Sequence, residues 1–89
     1  MTDQEARDYY ERRAKDLIKE TRRERNISYK DLARRLEGHG VTIDAQVLIN
    51  RVNAGKFSFS FALQLLAAMG VSSLDIPDYK PEKSGNGRQ

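Results

Sequence analysis

The chain reads as an all-α fold, and three observations predict it. Apolar residues recur at helical spacing in four separate stretches. Each stretch is preceded by a Thr, Ser or Asp that can accept from the free N–H groups of a helix start. Each is followed by glycine or asparagine, the residues that most readily take the left-handed conformation closing a helix.

Taken in order, Thr2-Asp3-Gln4-Glu5 has the form of a capping box, in which hydroxyl and carboxylate satisfy backbone donors reciprocally. A long first helix follows. Its stripe is Ala6, Tyr10, Ala14, Leu17, Ile18 and Thr21, and nothing breaks it before Asn26. Tyr10 is expected in the core and Tyr9 on the surface. The outer faces carry acid-to-base pairs at i, i+4, among them Asp8 with Arg12 and Glu11 with Lys15, each worth about 0.2–0.5 kcal/mol to a helix. Ser28-Tyr29-Lys30-Asp31 is a second capping box. The helix it opens turns Leu32, Ala33 and Leu36 inward and ends at Gly38-His39-Gly40.

A third helix occupies 44–56, with Thr42 or Asp44 as N-cap and Gly55 as its stop. It places Ala45, Ile49 and Val52 on an apolar face and Gln46, Asn50 and Asn53 on a polar one, with Arg51 beside the latter. Phe57-Ser58-Phe59-Ser60-Phe61 alternates as a strand would. The helical reading is preferred, with Ser58 or Ser60 as N-cap, Phe61, Leu65, Ala68 and Met69 buried, Leu66 flanking them, and Gly70 as the stop. Three phenylalanines cannot share one helical face, so Phe57 or Phe59 is expected at the surface, open to a protein partner. Val71 and Leu74 are expected to fold back on the core through a last short turn, giving four or five helices. From Pro77 onward the chain lacks the apolar residues that offset ordering entropy. A single domain over 1–76 and a disordered tail over 77–89 are expected.

Composition narrows the function. The chain has 89 residues and no cysteine, which excludes disulfides and thiolate metal sites. The single His39 cannot build a zinc site alone, and the sequence around it does not supply the set of carboxylates that would complete one. No nucleophilic triad or phosphate-cradling loop is present, so no cofactor is implied and binding is expected rather than catalysis. Residues 2–5 are polar where a signal peptide would need an apolar core, and no run approaches the ~20 apolar residues of a membrane span. A cytoplasmic location without membrane contact is expected. The net charge is +3, and all of it belongs to residues 1–36, which hold eleven Lys/Arg against eight Asp/Glu. If DNA is the partner, the first two helices supply phosphate attraction and the nearly uncharged third helix supplies discrimination. Amides and arginine are the side chains that make bidentate contacts to adenine and guanine edges in the major groove.

The segment from Leu17 to Leu36, with its I-S-x-x-D-L-A start to the second helix, resembles the first two helices of the lambda-repressor-like, Cro-type helix-turn-helix family. The V-N-A-G-K that closes the third helix and the small-residue, Gly-Val ending of the fourth agree in order and spacing, over roughly residues 14–74. The likeness is closer still to a small bacterial group of unknown function that carries a Gly-Lys-Phe-Ser turn before the fourth helix. Two departures stand out. The link over 37–43 is a few residues longer than the family's tight turn, and the first helix is extended at its start by about ten residues.

The resemblance implies base-reading positions at Gln46, Val47 and Arg51, with Asn50 added from the helical wheel. It implies phosphate contacts at Tyr29 and Lys56. Arg22, Arg25, Ser28 and Lys30 are expected to join them from their places around the start of the second helix. The expected function is a sequence-preferring double-stranded DNA binder, a small bacterial or phage transcriptional regulator associated with the nucleoid. Since one monomer reads only a few base pairs, a homodimer on paired half-sites is expected, although no coiled-coil heptads are present to supply it. The alternative is a protein-interaction module, antitoxin-like or an adaptor, on the same scaffold.

Overall fold

The computed structural model describes residues 2–76 and 78. Among them are four helices and no strand: α1 (Asp3–Glu24), α2 (Tyr29–Glu37), α3 (Ala45–Ala54) and α4 (Phe59–Ala68). The all-α expectation and the extended first helix are both met. The tail expected over 77–89 lies, apart from Asp78, outside the described residues.

Every helix starts on a side-chain cap. Thr2 and Glu5 form the full reciprocal box, with bonds of 3.1 and 2.8 Å. Ser28, Asp44 and Ser58 accept from the N–H groups of Asp31, Val47 and Phe61 respectively. Two open choices thereby close, on Asp44 rather than Thr42 and on Ser58 rather than Ser60. The Ser58 cap also explains why the Phe-Ser alternation becomes a helix start: it satisfies an N–H that a strand would have needed a neighbouring strand to satisfy. At α2 the Asp31 carboxylate accepts from Arg34 and Arg35 on the following turn.

Three helices end by one device. At α1, α2 and α4 a residue at positive φ (Asn26, Gly40 and Gly70) is followed by an apolar β-branched residue (Ile27, Val41 and Val71). Its N–H donates back five residues, to the carbonyls of Arg22, Leu36 and Leu66. The residue at positive φ donates three back, completing the Schellman pattern that satisfies two otherwise free carbonyls. Ile27 is buried, and Val41 and Val71 pack against the core. The terminators therefore also seat the links.

The core is built from Ile18, Leu32, Leu36, Leu48, Val52, Leu65 and Met69, all essentially inaccessible to solvent. Helix α2 packs on both α3 and α4, and α1 packs on α3. Three expectations need correction. On α3 the buried stripe is centred on Leu48 and Val52, while Ala45 and Ile49 are half-buried; the most buried edge is shifted toward Leu48 relative to the Ala45-Ile49-Val52 face. Tyr10 is 44% exposed and Tyr9 is the half-buried member of the pair. Tyr9 sits edge-on to Tyr10 with centroids 5.1 Å apart and donates to the Asp78 carbonyl at 3.4 Å. Leu74 is exposed rather than folded onto the core, and no fifth helix follows Gly70 among the described residues.

Polar contacts fix the helix ends against one another. Arg25 from the end of α1 and Arg35 from α2 both donate to the last carbonyls of α4, on Met69 at 3.1 Å and Ala68 at 3.4 Å. Cations there complement the helix dipole. Lys15 likewise donates to the Asn53 carbonyl at the end of α3, at 3.4 Å. Just beyond, Gly55 at φ 72° lies so close to α1 that a Cβ would meet the Lys15 Cβ at 3.4 Å and the Glu11 carbonyl at 3.5 Å. The end of α3 is thus seated on α1.

Candidate nucleic-acid interface

Because Leu48 and Val52 point into the core, the opposite side of α3 faces outward. Gln46, Val47, Asn50, Arg51 and Asn53 are all exposed on it. Gln46 and Asn50, one turn apart, are joined by a 3.2 Å bond from the Gln46 amide nitrogen to the Asn50 amide oxygen. That bond aligns the two side chains and leaves the Gln46 carbonyl and the Asn50 NH2 as acceptor and donor, the pair an adenine edge requires. Val47 is 48% exposed beside them and can meet a thymine methyl.

Arg51 stands apart from this amide pair. Its guanidinium carbon lies 4.4 Å from the centroid of the Phe61 ring, so it leans over the start of α4. A cation–π contact of this kind engages the ring and leaves guanidinium N–H groups for acceptors.

The six phosphate candidates fall into three groups. Arg22, Ser28, Tyr29 and Lys30 lie at the junction of α1 and α2. Arg22 is held there on both sides, by a 2.9 Å bond to the Ile27 carbonyl and by stacking 4.2 Å over the Tyr29 ring. Its Nε is buried without a hydrogen-bond partner. Arg22 is therefore a clamp on the junction first, and its remaining donors are what it can offer a phosphate. The Ser28 hydroxyl is engaged as the cap of α2 and keeps its own O–H for donation. Lys30 is exposed in the first turn of α2. Arg25 is a second group, turned to the end of α4 through Met69. Lys56, exposed just past Gly55, is the third, at the far end of α3.

The link over 38–44 keeps its extra length yet is anchored. Val41 and Ile43 pack on the core, and the Gln64 amide of α4 donates to the His39 carbonyl at 2.9 Å. Of the three phenylalanines, Phe59 is the exposed one, at 78%. Phe57 is half-buried and edge-on to Phe61, with centroids 6.0 Å apart. Sequence reasoning missed Phe61 as the support of Arg51, since ten residues and a glycine turn separate them. It missed Lys15 and Arg35 as helix-end donors for the same reason: their partners are carbonyls of distant helices, which carry no side-chain signature.

Among the described residues no group of three or more His, Asp or Glu is gathered to hold a metal ion. None of their helices is long and apolar enough to cross a membrane. Residues 10–74 match the family described as Domain of unknown function (DUF6471). No curated protein and no solved structure matches the chain. The matched span covers most of the sequence, and the chain belongs to this family.

Proposed function

We propose that this family member is a sequence-preferring double-stranded DNA binder of helix-turn-helix type, a small transcriptional regulator that inserts α3 in the major groove. The observation that carries the reading is the outward face of α3, where the hydrogen-bonded Gln46–Asn50 pair, Val47 and Arg51 stand exposed on a helix that turns Leu48 and Val52 fully into the core. Such a face has the donor and acceptor types of base recognition and almost no charge of its own. Affinity then comes from Arg22, Arg25, Tyr29, Lys30 and Lys56 on the flanking phosphates, with Ser28 donating from the cap. Nucleoid association in the cytoplasm and a homodimer on paired half-sites follow from the same reading.

Selection from a pool of random duplexes with purified protein tests it, because the outcome reports binding, preferred sequence and half-site symmetry together. Enrichment of a common site supports the reading. Recovery of an unenriched pool removes the sequence preference, and recovery of no duplex removes DNA as the partner.

One observation favours a second reading, a protein-interaction module of antitoxin or adaptor type. Phe59 is exposed at the start of α4, and an open apolar hollow lies between Tyr10, Ala14 and Leu17 of α1 and Leu74 and Ile76 beyond α4. Exposed apolar surface of this kind suits a protein partner. Pull-down with a Phe59→Ser control distinguishes it from DNA binding.

A further inference from the structure

An arginine on an open helix face has four side-chain torsions to settle before its flat edge can meet a base. In this chain that freedom is restricted from another helix. Arg51 of α3 stacks 4.4 Å over the ring of Phe61, in the first turn of α4. The ring is itself held in place. Phe61 is 5% exposed and Phe57 meets its ring edge-on at 6.0 Å, while the backbone N–H of Phe61 donates to the Ser58 cap at 3.1 Å and fixes the chain that carries the ring. The support under Arg51 is thus a buried, capped and braced aromatic face. The guanidinium donors radiate in its own plane, and a cation–π contact with one ring leaves N–H groups to meet acceptors.

We propose that Phe61 is a specificity-determining positioning residue: it holds the Arg51 guanidinium with its N–H edge presented to a paired acceptor on a base, the O6/N7 edge of guanine. This rests on the reading of α3 as a base-contacting helix. Phe61 touches no DNA and acts only through Arg51. The α3 face then carries two oriented units, the Gln46–Asn50 amide pair for adenine and the braced arginine for guanine.

The test uses the full chain, a selected duplex and a random duplex, and reads the ratio of the two affinities. Phe61→Leu keeps an apolar side chain but removes the flat face. It is expected to lower the ratio about tenfold, as loss of one bidentate base contact does, with random-duplex affinity unchanged. Phe61→Tyr, which keeps the ring, is expected to restore the ratio. In an Arg51→Ala background Phe61→Leu is expected to add no further loss, because the two residues act as one unit. Additive losses, or a folded Phe61→Leu protein with the full ratio, would overturn the inference while leaving DNA binding intact. If Phe61→Leu does not fold, Phe61→Met decides in its place: it keeps apolar volume and removes the flat face, so a drop in the ratio supports the inference and full retention overturns it. Absence of binding of the unaltered protein to either duplex at low salt overturns both this inference and the reading beneath it.

Discussion

Gly55 lies where the end of α3 meets α1, and replacing it with alanine tests how that helix is seated. Its φ of 72° lies in the left-handed region, and an added Cβ would stand 3.4 Å from the Lys15 Cβ and 3.5 Å from the Glu11 carbonyl. Those distances are tight to ordinary van der Waals contact, so the dominant penalty is conformational, about 1–2 kcal/mol for a left-handed alanine. For a domain of this size each kcal/mol displaces Tm by about 4–8 °C, so Gly55→Ala is expected to lower Tm by roughly 4–16 °C. Gly38→Ala is the matched comparison. Gly38 has φ −72°, an ordinary helical value, and its nearest neighbour to an added Cβ is the Arg35 carbonyl at 3.5 Å. That substitution removes entropy from the unfolded chain without strain and is expected to be neutral or to stabilise by about 0.4–1 kcal/mol. Gly55→Asn separates strain from crowding. Asparagine tolerates the left-handed region, so it should be milder than alanine if conformation dominates and harsher if the approach to α1 does. Thermal unfolding followed by circular dichroism reads all three. Equal Tm changes for Gly38→Ala and Gly55→Ala would refute the left-handed closure of α3 at Gly55.

Gln46→Ala breaks the amide pair on α3 and should cost ~1–3 kcal/mol on a selected duplex with little change on random duplex, measured by fluorescence anisotropy; equal losses on both would make Gln46 a phosphate contact. Lys30→Ala should weaken binding to all duplexes alike and make the slope of log affinity against log salt less negative by about 0.9. Leu48→Ala, at a fully buried position of α3, should destabilise by about 2–5 kcal/mol in urea unfolding, and a loss below ~1 kcal/mol would mean that α3 is not anchored in the core through that residue.

The helices were legible because their punctuation is local. The caps at Thr2, Ser28, Asp44 and Ser58 and the terminators Asn26, Gly40, Gly55 and Gly70 act within a few residues of themselves, so residue type and spacing reveal them. The rotation of α3 was less legible. Ala45, Leu48, Ile49 and Val52 form one continuous apolar band, and which edge is most buried depends on where α1 and α2 lie. The Tyr9 and Tyr10 assignment failed for a related reason: α1 outruns the body it packs on, and near its start neither side of the helix is fully covered. The candidate site divides in the same way. That Gln46, Val47, Asn50 and Arg51 share an outward face follows from helical period alone. That Arg51 rests on Phe61 and Arg22 on Tyr29 depends on packing between helices, which no local pattern encodes.

A salt titration of binding to random duplex tests the central claim most directly, because it asks for phosphate neutralisation before any question of sequence. Arg22, Arg25, Lys30 and Lys56 are the four cations proposed to contact phosphate, so log affinity against log salt should fall with a slope of about −3.6 per monomer. No measurable binding at low salt, or binding that does not weaken as salt rises, would contradict the account and direct attention to the exposed Phe59 and the protein partner it would serve.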